Sequence, residues 1–155
     1  MKIAIGNDHA GLSLKPIVRE VLESEGHEVT DLGTNSTEPS DYPVYALAVG
    51  QAVASGRAER GVLLCGSGAG VSVAANKVKG VRATVAHETY TAHQSVEHDD
   101  VNIVCVGARA IGPELAIDIV RAWVRASFDG IDRHRRRLDE VARMEDTFGT
   151  QDQQT

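Results

Sequence analysis

"LLCGSGAGVSVAAN", Leu63 to Asn76, runs from an apolar stretch through three alternate glycines into a helical period. Strand, glycine turn and helix in that order form the repeating unit of a parallel sheet. The run GVLLCG (Gly61–Gly66) is apolar at consecutive positions, as a strand covered on both faces must be. Gly66, Gly68 and Gly70 let the backbone turn tightly and approach a ligand with no Cβ in the way. A helix following them would aim several N–H groups at one point, which suits a phosphate or an oxyanion. The spacing G-x-G-x-G is not the dinucleotide fingerprint.

The same alternation extends in both directions. Lys2–Gly6 reads as a strand and Leu12–Glu25 as a helix with Leu14, Ile17, Val18, Val21 and Leu22 on one face. His27–Gly33 is a second strand, Thr34–Pro43 a polar loop rich in turn formers, and Val44–Ala54 a helix. Val81–Ala86 and Asn102–Gly107 are the fourth and fifth strands, with a helix between them. Pro113 opens a further helix, and a last one runs from about Asp132 to Phe148. Strands separated by helices predict right-handed crossovers and a parallel sheet between two helical layers, an α/β/α sandwich. The reading is one domain over 1–148 and a flexible polar tail over 149–155. Such sheets bind ligands beyond the carboxyl ends of their strands, where strand order reverses. If strands one and three are neighbours, the loops NDHAG (Asn7–Gly11) and CGSGAG (Cys65–Gly70) face each other across that crevice.

Composition narrows the partners. The net charge of −6 opposes nucleic-acid binding, and aromatic residues at 4% supply few stacking surfaces for bases or flavins. No segment reaches the length of a membrane span, and the apolar run in MKIAIGNDHAG is too short for a signal peptide. Cys65 and Cys105 both lie in apolar runs, which reads as reduced thiols in a cytoplasm rather than as a disulfide framework. GNDHAGLS (Gly6–Ser13) spaces its glycines like a P-loop, but Leu12 stands where the lysine must be.

From spacing alone, Cys65 reads equally as a small buried hydrophobe and as a functional thiol. A helix N-terminus favours the thiolate, the form that can take a proton. Cys105, embedded in NIVCVG, reads as core. On the last helix Val141, Met144 and Phe148 form an apolar stripe that Arg133 and Arg137 extend. Those two arginines are therefore expected to face the body of the protein or a partner. They stand in first turns where the helix dipole disfavours cations, a cost that a bound anion would relieve.

GNDHAG, SDYP, LLCGSGAGVSVAANK, EHDDVN, VGAR and RHRRR together resemble, in order and spacing, the type B ribose-5-phosphate isomerases. That family includes the galactose- and allose-phosphate isomerases, and the resemblance covers essentially residues 1–148. It implies a three-layer Rossmann-like sandwich with a five-stranded parallel sheet, working as a homodimer or dimer of dimers with active sites between subunits. It implies an enzyme without cofactor or metal that moves a proton between C1 and C2 of a sugar phosphate through an enediolate. Ribose 5-phosphate is the first expectation; erythrulose 4-phosphate and allose or galactose 6-phosphate are alternatives. A non-catalytic phosphate binder on the same sheet is the alternative of another class.

The resemblance also distributes roles. Cys65 would be the base; Val71 stands where another branch of the family places a glutamate. Backbone N–H groups from Gly66, Ser67, Gly68, Ala69 and Gly70 would hold the enediolate, with the Ser67 hydroxyl assisting. Asp8 and His9 would contact substrate hydroxyls and the phosphate end, although an Asx turn or helix cap is the simpler local reading of Asp8. His98 would open the furanose ring as an acid, where local sequence alone suggests a surface histidine. Arg109, Arg133 and Arg137 would grip the phosphate, and His134 matches the family without a fixed role. Asp99 departs from the usual asparagine: a carboxylate accepts hydrogen bonds where an amide can also donate, which touches the choice of sugar.

Overall fold

The structure, a computed structural model, describes residues 1–148. The expected tail over 149–155 lies outside the described residues. In chain order the elements are β1 (Lys2–Asn7), α1 (Lys15–Ser24), β2 (Glu28–Asp31), α2 (Tyr42–Ala54), β3 (Arg60–Cys65), α3 (Ala69–Ala75), β4 (Ala83–Val85), α4 (Thr89–Asp99), β5 (Ile103–Gly107), α5 (Pro113–Arg125) and α6 (Asp132–Phe148). The five strands form one sheet in the order β2-β1-β3-β5-β4, every pair parallel.

Strand alternation divides the core into two layers. Ile3, Ile5, Val62, Leu64, Val104 and Val106 pack against the apolar faces of α1, α4 and α5, including the fully buried Trp123. Ala4, Leu63, Cys65, Ile103 and Cys105 face the opposite way, onto α2 and α3. The expected sandwich is therefore present, and both cysteines point into its α2–α3 side.

Element ends differ from the sequence reading where proline intervenes. The first helix opens with a 3₁₀ turn over Leu12–Leu14, and the α-helix starts at Lys15, with Pro16 in the first turn where a missing N–H costs nothing. Helix α2 likewise begins at Tyr42 rather than Val44, because Pro43 fits its first turn. Strand β4 is trimmed to three residues at the sheet edge.

The chain turns one way from β1 to β2 and the other way from β1 to β3. The reversal lies between β1 and β3, whose ends meet at Asn7↔Leu64. Cys65 pairs with Gly107 on the next strand. The loops after β1, β3 and β5 thus open onto one crevice at the carboxyl edge of the sheet.

Candidate active site

Cys65 is the last residue of β3 and only 5% exposed. Its carbonyl accepts the Ala108 N–H at 2.8 Å, which fixes the strand end. Its sulfur accepts the Gly68 N–H at 3.0 Å. That approach requires Gly68 at φ +81°, where a Cβ would be strained and would lie 3.3 Å from the Cys105 carbonyl oxygen. Helix α3 is only two turns long, so the main-chain donor to sulfur is this single N–H. The Ala69 N–H is also engaged locally, by Ser67 Oγ at 3.3 Å.

The β1 loop faces this turn. Asp8 Oδ1 accepts the Gly11 N–H three residues on at 2.9 Å, the capping type of bond rather than an Asx turn, while the residue also lines the crevice. The His9 ring is held from 31 positions away. Its Nδ1 accepts the Ser40 N–H at 3.1 Å, and the main-chain N–H of His9 donates to Ser40 Oγ at 3.2 Å. With Nδ1 accepting, the neutral ring carries its proton on Nε2 and can donate into the cavity. The loop bearing Ser40 is anchored by a buried lysine: Lys15 Nζ bonds Thr34 O and Asn35 Oδ1 at 2.7 Å and Asp31 Oδ2 at 2.9 Å.

These elements enclose a cavity of about 420 Å³. Asp8, His9, Cys65, Gly66, Ser67, Gly70 and Arg109 line it, all expected from the sequence. Gly68 and Ala69 complete the turn without lining it. Tyr42 also lines it and was assigned no role by sequence, although it belongs to the SDYP motif. Its ring lies against Gly70, where a Cβ would come within 2.9 Å of it. Arg109 follows β5, and its N–H donates to the Gly66 carbonyl at 3.0 Å.

The other expected residues stand elsewhere on the chain. Among the described residues, His98, Asp99, Arg133 and Arg137 do not line the Cys65 cavity. Asp99 and Arg137 instead line a second cavity of about 440 Å³, beside Arg82 and Met144. Arg133 and Arg137 are exposed rather than turned into the body of their own chain, and Val141, Met144 and Phe148 are 47%, 59% and 73% exposed.

His98 belongs to a connected group. Gln94 Nε2 donates to its Nδ1 at 2.8 Å, and its ring packs on that of His134 with centroids 4.2 Å apart and planes tilted by 30°. His134 is buried, its Nδ1 2.9 Å from both oxygens of Asp129, and its Nε2 accepts the Arg133 Nε–H at 3.2 Å. Burial pushes the Asp129 carboxyl up. The hydrogen bonds from His134 and the Ile131 N–H, with His134 and His98 nearby, more than offset it, so the group sits below its ordinary value. His98, Asp129 and His134 bring three donor atoms close enough to surround a cation. Both ring nitrogens of His134 are already engaged, however, Nδ1 by the Asp129 carboxylate and Nε2 by the Arg133 Nε–H. A hydrogen-bonded chain fits this arrangement better than a metal site.

Cys105 is fully buried among α2 and α3 side chains, and burial pushes its thiol up, so it stays a neutral core group.

Comparison with known proteins agrees with this architecture. The Ribose/Galactose Isomerase family matches residues 3–141. Ribose-5-phosphate isomerase B of Escherichia coli is 46% identical over 144 residues, covering 93% of this chain and 96% of that protein. D-erythrulose-4-phosphate isomerase of Pectobacterium atrosepticum is 41% identical over 131 residues, covering 84% and 86%. The solved structure of Clostridium thermocellum ribose-5-phosphate isomerase B superposes with a TM-score of 0.91 at 46% identity, covering 94% of this chain and 98% of that one.

Proposed function

Because this chain belongs to the ribose/galactose isomerase family, it is an aldose–ketose isomerase of sugar phosphates, and we propose that ribose 5-phosphate and ribulose 5-phosphate are its substrate pair. The observation that carries the mechanism is the Cys65 sulfur on the Gly68 N–H, at the floor of a cavity that also presents Asp8, His9 and Arg109.

Cys65, as thiolate, takes the proton from C2 of the open-chain aldose. The electron pair moves onto the C1 carbonyl oxygen, and an enediolate forms. Sulfur then returns the proton to C1 while the hydroxyl proton passes from O2 to O1, giving the ketose. The Gly68 N–H is aimed at the sulfur that carries the charge in this step. With Gly68 and Ala69 engaged locally, the N–H groups of Gly66, Ser67 and Gly70 hold the enediolate oxygens, a type of contact worth about 3–4 kcal/mol in the transition state. The Ser67 hydroxyl assists, Asp8 accepts from a sugar hydroxyl, His9 donates through Nε2, and Arg109 reaches the phosphate end.

Ring opening and the rest of the phosphate clamp fall to His98, Arg133 and Arg137, which one copy does not bring to its own cavity. We infer a homodimer, or a dimer of dimers, in which a second copy supplies these residues together with Asp99. Two observations support this. The apolar stripe of α6 is exposed, and so are Val44, Leu47 and Val73 on α2 and α3, the helices bordering the cavity.

Asp99 favours a second reading, a tetrose phosphate such as erythrulose 4-phosphate, because a carboxylate there changes which substrate hydroxyl can be met. A coupled assay across four- to six-carbon aldose and ketose phosphates decides between the two. Highest kcat/KM on the pentose pair supports the first reading, and highest kcat/KM on the tetrose pair replaces it with the second.

A further inference from the structure

His134 has no role in the reaction as proposed, yet it is the one buried residue of α6 among those described, and it is polar. Three bonds define its state. Asp129 is a carboxylate and only accepts, so the proton between them sits on His134 Nδ1. Nε2 is thereby free to accept, and it accepts from Arg133 Nε–H. Asp129 is itself fixed, its N–H donating to Glu97 O at 3.0 Å and its Oδ1 accepting the Ile131 N–H at 3.1 Å. The opposite face of the His134 ring system meets His98.

We propose that the Asp129–His134 pair is a positioning device for the phosphate clamp: Asp129 selects the Nδ1–H tautomer of His134, and the bare Nε2 then holds Arg133 by its Nε. A guanidinium tethered at Nε keeps both terminal nitrogens free, and these form the fork that matches two phosphate oxygens. An exposed arginine would otherwise lose rotamer freedom on binding, and the tether removes part of that cost beforehand. The same ring packs against His98, so one buried imidazole sets the placement of two groups assigned to substrate. The proposal rests on the reading of Arg133 as a phosphate ligand.

The test uses Asp129→Asn, which keeps shape and the acceptor for Ile131. With Oδ1 on that N–H, the amide Nδ2 faces His134 Nδ1 and forces the proton to Nε2, where it opposes the Arg133 donor. His134→Phe keeps a ring against His98 but offers no acceptor, and Arg133→Ala is the reference. The readouts are the inhibition constant of inorganic phosphate, the KM and kcat of the full-length enzyme, and ¹⁵N NMR of the His134 ring. The expected result is a rise of about three- to tenfold in phosphate inhibition constant and KM for Asp129→Asn and His134→Phe, the effect of one hydrogen bond, with kcat changed less. The NMR signal should report the proton on Nδ1 in wild type and on Nε2 in Asp129→Asn. If Arg133→Ala weakens phosphate while the other two variants do not, the positioning proposal is overturned and the clamp stands. If Arg133→Ala has no effect, the clamp reading fails and takes the proposal with it.

Discussion

The Gly68 N–H donates to the Cys65 sulfur at 3.0 Å, across a turn that closes only because Gly68 occupies φ +81°. The short helix that follows contributes little field of its own. The thiol therefore depends on the conformation of one residue, and substitution there is a direct probe.

Gly68→Ala should destabilise the fold by about 1–2 kcal/mol, the cost of a left-handed non-glycine residue. It should also lower kcat more than it changes KM, since the donor shifts away from sulfur. Thermal unfolding and steady-state kinetics check both parts.

Lys15 is remote from the reaction but ties α1 to the loop that carries Ser40, and Ser40 holds His9. Its side chain is 6% exposed, so removing the ammonium leaves Thr34 O and Asp31 short of a partner. Lys15→Met should cost about 2 kcal/mol in urea unfolding. It should raise KM through a looser His9, with kcat less affected.

The fold was largely legible in the sequence. GVLLCG, apolar on both faces, required a central parallel strand, and the spacing of Leu14, Val18, Val21 and Leu22 required a helix lying on the sheet. The displaced helix starts at Lys15 and Tyr42 follow from Pro16 and Pro43, a local signal outweighed by the apolar periodicity around it. The site was legible where its residues follow strand ends. Tyr42 was missed because its contact with Gly70 joins two helices 28 positions apart, and no local pattern encodes that. Ser40 on His9 escaped for the same reason, whereas Asp129 lies only five positions from His134 and meets it from the loop before α6, outside any helical spacing. For Arg133 and Arg137 the helical stripe led to the expectation of a covered face, whereas this chain leaves both arginines and Val141, Met144 and Phe148 exposed.

Asp129 gives a pH prediction whose sign follows from its lowered carboxyl. A group held below its unfolded value stabilises the fold above that value and loses this contribution as pH falls through the folded one. The difference in melting temperature between wild type and Asp129→Asn should be full above about pH 5 and should shrink below about pH 3.9, the ordinary aspartate value. Melting curves across that range test it, and a difference that grows on acidification would contradict it.

Asp99→Asn restores the amide usual in the family that this sequence resembles. Relative kcat/KM across tetrose, pentose and hexose phosphates should change, while the inhibition constant of inorganic phosphate stays near wild type, because the proposed assembly sets Asp99 against a sugar hydroxyl rather than the phosphate. Unchanged ratios across the panel would remove Asp99 from the list of specificity determinants.

In the proposed mechanism, proton transfer by the Cys65 sulfur is the step from which every other role takes its meaning, and solvent-deuterium incorporation reports it directly. In D₂O the wild-type enzyme should place deuterium at C1 of ribulose 5-phosphate. Cys65→Ala, folded by circular dichroism, should slow that incorporation by about 10²–10⁴-fold while still binding the sugar phosphate. Incorporation by Cys65→Ala at a rate near wild type would contradict the account.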